Sequence, residues 1–180
     1  PFANMSGDPG QEYFADGMTE DVPIMATMLS ARAVADSGGE TEFASTYAAY
    51  GALSDAEQQQ VDALRVVHSF EAANRLVWPD PTEEQLAMWR RRAPKEHPLV
   101  WRHRDGRRSL VLGATTDHVV GMDAGEGRAL LDDLLARSTT PERVYRHAWA
   151  VGDLVVWDNR GVLHRALPYG RDSARHMHRT

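Results

Sequence analysis

Asp153-Leu-Val-Val-Trp157-Asp158-Asn159-Arg160-Gly-Val-Leu-His164-Arg165, followed by Arg175-His-Met-His-Arg179-Thr180, is the stretch on which the reading of this chain turns. It has the pattern of two short strands joined by a turn, with a third strand at the end. His164 falls where a strand exits into Arg165-Ala-Leu-Pro168. A lone histidine is more often a structural or surface residue than a metal ligand. Trp157, Asp158 and Asn159 just before it supply a packing ring and two hydrogen-bonding side chains able to orient an imidazole. Arg175 and Arg179 are four apart, so on a strand they share one face, with Met177 between them. Two guanidinium groups on an inward face need anionic partners to offset burial. A bound dicarboxylate is one such partner, because arginine grips carboxylates with two parallel hydrogen bonds. The alternative is a pair of solvated arginines.

Working outward, the 180 residues suffice for one compact domain with a real core. A hydrophobic share of 42% with 26% charged residues excludes a disordered chain. A net charge of −6 argues against nucleic-acid binding, and the runs Arg90-Arg91-Arg92 and Arg102 to Arg108 read as solvated faces. The absence of cysteine removes disulfides, thiolate metal sites and cysteine nucleophiles, and fits a reducing cytoplasm. The apolar runs are too short to span a bilayer, so no membrane partner is expected. The chain opens on Pro1 without a methionine and stops at Thr180 inside an expected strand, so both ends read as cut.

Residues 1–12 read as loop. A mostly apolar run from Ile24 to Ala33 predicts a buried strand, and Asp36-Ser-Gly-Gly-Glu-Thr41 a turn. Phe43, Tyr47 and Tyr50 at helical spacing predict a short helix over 42–53. Ser54 with Glu57 predicts a capping box for a second helix, carrying Val61, Leu64, Arg65 and His68 on one face. Residues 69–97, broken by Pro79, Pro81 and Pro94, read as a helical insertion or lid with one helix over 83–92. Asp105-Gly106 predicts a hairpin turn, residues 126–136 an amphipathic helix, and residues 143–151 and 154–158 two strands. Asp132-Asp133 is a helix-surface pair rather than an acid/base dyad. The sum is a mainly β, α+β chain, a single domain best drawn as a two-sheet antiparallel roll with inserted helices.

Trp157-Asp158-Asn159-Arg160 with His164, Arg175 and Arg179 resembles the end of the taurine/2,4-dichlorophenoxyacetate dioxygenase family, the TauD/TfdA family. The strand over 24–33 with Gly38-Gly39-Glu-Thr41, Val119-Val-Gly-Met122, Val144-Tyr-Arg-His147, Trp149 and Gly152-Asp153-Leu is also similar to that family. The resemblance implies a double-stranded β-helix (jelly-roll), Fe2+ and 2-oxoglutarate. It further implies hydroxylation of a small acidic substrate, aryloxyalkanoate- or sulfonate-like, by O2. It makes Asp16 and His164 metal ligands and Arg175 the clamp on the far carboxylate of 2-oxoglutarate, with Thr41 bonded to it. Arg179 meets a second anionic group. A homo-oligomer is possible.

One motif departs. The family's Trp-His-x-Asp reads Tyr13-Phe14-Ala15-Asp16 here, so Phe14 stands where the first histidine belongs. Phenylalanine offers no donor, and two ligands remain. His97 and His118, expected in loops, are the candidates for a substitute. His176 and His178 are expected to face away from Arg175 and Arg179. The alternatives left open are a relative that binds 2-oxoglutarate or another carboxylate without oxidising anything, and a domain that kept only the fold.

Overall fold

A computed structural model describes residues 12–170 and 172–180. In chain order these form β1 (Ala26–Ala33), β2 (Thr41–Ser45), α1 (Thr46–Gly51), α2 (Asp55–Asp62), β3 (Arg65–His68), α3 (Phe70–Arg75), α4 (Glu83–Trp89), β4 (Lys95–Pro98), β5 (Val100–Arg102), β6 (Arg108–Leu110), β7 (Thr116–Val119), α5 (Ala124–Ser138), β8 (Val144–His147), β9 (Leu154–Asp158), β10 (Val162–Ala166) and β11 (His176–Arg179). The strands make three-stranded sheets in the orders β11-β1-β9, β10-β2-β8 and β4-β3-β7, plus the hairpin β5-β6. Every strand pairing is antiparallel.

The first two sheets face each other. Trp157 on β9 packs its ring 5.3 Å from Phe43 on β2 and 4.8 Å from His164 on β10. The other face of β10-β2-β8 closes the main core, where Tyr13, Ala44 and Leu163 join Val61, Val66, Leu99, Leu112, Val119, Leu131 and Leu134. The alternation along β2 explains this division. Thr41 and Phe43 point to the gap between sheets, while Glu42 and Ala44 point the other way. Glu42 is buried, accepting hydrogen bonds from Tyr13, Arg146 and Arg165. Burial pushes its pKa up, but those three donors outweigh burial and hold it below the usual carboxylate range. Burial, then the bond to Glu42, raises the Tyr13 phenol to about 12.

Several expectations need correction. Residues 42–45 form the central strand of a sheet rather than the start of a helix. Cross-strand partners on both sides (Arg146, Arg165, Tyr145, His164) outweigh the helical spacing of three aromatics. The capping box at Ser54 and Glu57 is present, but α2 ends at Asp62, and Arg65 to His68 pair as β3 between β4 and β7. The run over 24–33 is buried on one face only. Thr27 and Ala31 are inside, while Ile24, Met25 and Met28 are exposed. The helix expected over 83–92 stops at Trp89, and residues 95–97, placed in the insertion, belong with Pro98 to a strand of a sheet. The strand expected over 143–151 is confined to β8. The Asp-Gly turn, the amphipathic α5 and the surface position of Asp132 and Asp133 hold, with Gly106 at φ +84°. The loop expected at residues 1–12 lies, except for Glu12, outside the described residues. Among the described residues no helix is long and apolar enough to cross a membrane.

Candidate active site

Between the sheets β11-β1-β9 and β10-β2-β8 lies a cavity of about 440 Å³. Its floor is built by a two-residue junction. The Phe14 N–H donates to the His164 carbonyl at 2.8 Å, and the His164 N–H donates back to Phe14 at 2.9 Å. This pairing fixes Phe14 directly opposite His164 at the edge of β10. Asp16, two residues on, brings its carboxylate to the same place, with Oδ1 3.7 Å from His164 Nε2. Phe14, Asp16 and His164 all line the cavity. The structure thus brings together the two residues expected as metal ligands, with the phenylalanine beside them.

Behind Asp16 runs a short relay. Thr27 Oγ1 donates to Asp16 Oδ2 at 2.7 Å, and Asn159 Nδ2 donates to Thr27 Oγ1 at 2.8 Å. Asn159 therefore serves the carboxylate, and Asp158 binds Arg160. Neither orients the imidazole. Trp157 alone does so, by ring contact. Val156, the strand neighbour of Trp157, is exposed. Burial pushes the His164 pKa down to about 4 against the opposing pull of Asp16, so the ring is neutral at pH 7 with a lone pair to offer. Its Nδ1 is buried without a hydrogen-bond partner.

Cationic side chains line the same cavity. Arg175 lies over the Tyr169 ring at 4.9 Å and donates to the Gly39 carbonyl at 3.3 Å. Arg179, across β1 from Leu29, forms an ion pair with Asp16 Oδ1. Arg165 also lines the cavity while donating to Glu42 at 2.7 Å. Thr41 Oγ1 accepts the Trp149 indole N–H at 2.9 Å, which leaves its own O–H to donate. Arg175, Arg179, Thr41 and Met177 all reach the cavity, as expected. His178 is exposed, but His176, expected to face away, contributes to the lining.

The group implied by the family motif is tested by these donors. A neutral imidazole and a carboxylate facing each other suit a divalent cation such as Fe(II). No third donor stands with them: among the described residues no group of three or more His, Cys, Asp or Glu side chains is placed to hold a metal. His97 and His118 sit on β4 and β7, not in loops. His97 Nε2 bonds the Met18 carbonyl and His118 faces Asp117 at the surface. The residues therefore fit two of the positions around a metal, and the third corner is a benzyl group. For a dicarboxylate the fit is fuller, since Arg175, Arg179 and Thr41 supply charge and hydrogen bonds to the same cavity.

Sequence reasoning missed Thr27, Tyr169 and Arg165. Thr27 carried the clearest signal, as a polar residue on the inward register of an otherwise apolar strand. Nothing in the sequence marks Tyr169 as the ring under Arg175.

A model of the family "Taurine catabolism dioxygenase TauD, TfdA family" matches residues 4–180. The chain is 41% identical over 170 residues to an alpha-ketoglutarate-dependent 2,4-dichlorophenoxyacetate dioxygenase of Cupriavidus pinatubonensis, covering 94% of this chain and 58% of that protein. It is 32% identical over 148 residues to an alpha-ketoglutarate-dependent sulfate ester dioxygenase of Pseudomonas putida, covering 79% of this chain and 49% of that one. The crystal structure of AAD-2 in complex with Mn(II) and N-oxalylglycine superposes with a TM-score of 0.85 at 37% identity, covering 93% of this chain and 65% of that chain. The chain thus spans a little over half the length of the 2,4-dichlorophenoxyacetate dioxygenase.

Proposed function

This chain belongs to the TauD, TfdA family, and on that premise we propose that it carries the active site of an Fe(II)- and 2-oxoglutarate-dependent dioxygenase. Its substrate is a small acidic organic molecule, aryloxyalkanoate- or sulfonate-like, which is hydroxylated by O2 with release of succinate and CO2. The observation that carries this reading is the convergence of Asp16 and His164 at 3.7 Å in a cavity that Arg175, Arg179 and Thr41 also line.

Asp16 and His164 are the residues that would hold the iron. Bound there, Fe(II) would supply the redox chemistry that couples oxidative decarboxylation of 2-oxoglutarate to insertion of one oxygen atom into a substrate C–H bond. The chain's own residues do the rest. Arg175, braced by Tyr169 and Gly39, clamps the far carboxylate, and Thr41 donates to it. Arg179 takes a second anionic group, from the co-substrate or the substrate. The Thr27–Asn159 relay fixes the Asp16 carboxylate, and Trp157, Met177 and Phe14 keep water from the reacting atoms. The fold is read as the double-stranded β-helix of a single domain over residues 1–180. On it α3 and α4 form a helical insertion, linked to each other by the ion pair of Glu71 on α3 with Arg90 at the end of α4. A cytoplasmic setting suits a cysteine-free chain.

The test is succinate formation. The chain is incubated with Fe(II), 2-oxoglutarate and O2, with and without an aryloxyacetate or an alkylsulfonate. Succinate that rises with one of these acids supports the reading, and no succinate at any iron concentration sinks it. The second reading, a relative that binds 2-oxoglutarate or another carboxylate without turnover, is favoured by Phe14 at the third corner. It expects 2-oxoglutarate binding without succinate.

A further inference from the structure

Phe14 meets β10 through one isolated bridge, and its two hydrogen bonds to His164 join main chain to main chain. Such bonds are indifferent to side-chain identity. A slip of one residue along the segment would remake them while turning Phe14 and Asp16 out of the cavity and Tyr13 into it. Side chains must therefore set the register. The residue before Phe14 is Tyr13, and the residue after His164 is Arg165. Both donate to one atom behind the sheet. The Tyr13 O–H reaches Glu42 Oε2 at 2.8 Å, and Arg165 Nε reaches it at 2.7 Å. The Arg165 guanidinium also lies over the Tyr13 ring at 4.4 Å. The other oxygen, Oε1, accepts from Arg146 Nε and Nη2 at 3.0 and 2.6 Å. Glu42 is itself fixed in the central strand β2, with its side chain only 4% exposed. An apolar side chain of similar volume would be as stable there or more so, and Ala44, two residues on, belongs to the apolar core. What an apolar side chain cannot do is capture a phenol and a guanidinium at one fixed point.

We propose that Glu42 is a positioning residue: from the reverse face of the sheet, its Oε2 clamps the Phe14–His164 junction and so fixes which side chains of residues 13–16 enter the cavity. Its consequence for turnover rests on the dioxygenase reading, whereas the clamp does not. Thr41 and Phe43, the neighbours of Glu42 on β2, point between the sheets, and Phe43 is the ladder partner of His164. One buried carboxylate thus holds three segments in register, although it faces away from the cavity that they build.

The experiment reads amide hydrogen exchange by NMR on the metal-free chain, where rates report local opening as well as global unfolding. Tyr13→Phe removes the O–H and keeps the ring. Val61→Ala, at a fully buried position on α2 outside the clamp, serves as the comparison for a general loss of stability. Urea titrations place both variants on one stability scale. Tyr13→Phe should speed exchange of the Phe14 and His164 amides by about 10- to 100-fold, the range for a hydrogen bond to a charged group. Val61→Ala should lower global stability and leave those two amides at the wild-type rate. Acceleration that follows the urea-measured stability in both variants, or none in Tyr13→Phe, overturns the proposal. Turnover is a separate arm. Where the wild type forms succinate, Tyr13→Phe should lower kcat several-fold with the KM for 2-oxoglutarate unchanged, because Arg175 and Thr41 are untouched. A raised KM with kcat unchanged overturns the proposal as well. The expected exchange pattern without succinate removes the oxygenase reading and leaves the clamp. Succinate formation with exchange insensitive to Tyr13 does the reverse.

Discussion

Phe14 and His164 exchange both backbone hydrogen bonds, so whatever side chain stands at position 14 is delivered beside the His164 imidazole. A histidine there would complete three donors with no change of backbone. Phe14→His should therefore raise the Mn(II) affinity by at least ~10-fold, the lower end of what even outlying partners of a metal site contribute. Equilibrium dialysis checks this, and an unchanged affinity means that the side chain at 14 does not reach the metal position. The relay behind Asp16 makes a second prediction at this scale. Thr27→Val is nearly isosteric but removes the donor to Asp16 and the acceptor for Asn159. It should lower Mn(II) affinity by ~10-fold and global stability by about 1–3 kcal/mol, because Asn159 Nδ2 is left buried without its partner. A urea titration beside the metal titration separates the two effects. Arg175 and Arg179 were legible because four-residue spacing puts both on one face of a strand, and His164 drew notice at a strand exit, whereas Asp16 and Thr41 came only from the resemblance to the family. The relay was not legible, because Thr27 and Asn159 are far apart in sequence and meet only when β1 pairs with β9.

At the scale of elements, the turn Gly38-Gly39 joins the two halves of the site. It lies between β1 and β2, delivers Thr41 at the start of β2, and is bridged through Gly38 to Tyr169. Both glycines have positive φ, +73° and +75°, where an L side chain costs about 1–2 kcal/mol. Their surroundings differ. A Cβ on Gly38 would lie 2.2 Å from the Pro168 carbonyl oxygen, which is backbone and cannot give way cheaply. On Gly39 it would lie 3.1 Å from Arg175 Nε, the end of a flexible side chain. Gly38→Ala should thus cost well over ~2 kcal/mol of stability. Gly39→Ala should cost only about the backbone penalty but displace Arg175 and weaken 2-oxoglutarate several-fold. Denaturant melts and calorimetry should rank the two variants in opposite orders, and the same order in both would break the argument. The turn was legible from its two glycines, whereas the strand after it was read as a helix. Tyr47 and Tyr50 do lie on α1, but Phe43 belongs to β2 and packs on Trp157. Helical spacing that runs across a strand–helix junction looks continuous in sequence, and only cross-strand partners break the tie.

For the whole molecule, the two-sheet roll was legible because short, turn-punctuated strands have few other ways to bury one face each. The third sheet was not, since β3 was hidden in the apparent tail of α2 and β4 in an apparent insertion. That third sheet carries His68, fully buried, whose Nδ1 pairs with Thr115 Oγ1 at 2.8 Å on the cavity lining. Burial, with a smaller push from His97, lowers the His68 pKa to about 3. His164 is lowered in the same direction. The sign follows from proton counting. A histidine whose folded pKa lies below the unfolded value of ~6.5 binds its proton more readily in the unfolded chain. Its contribution to stability is complete above pH ~6.5 and is lost as the pH falls toward the folded value. Each such histidine adds a slope of about 1.4 kcal/mol per pH unit in that window. The metal-free chain should therefore weaken steeply between pH 6.5 and 4. His68→Gln should be less stable at pH 7 but flatter across the same window, so that the two curves converge toward acid. Urea melts at half-unit intervals give both curves, and parallel curves would mean that His68 is protonated in the folded chain, with the third sheet open to water where the structure closes it.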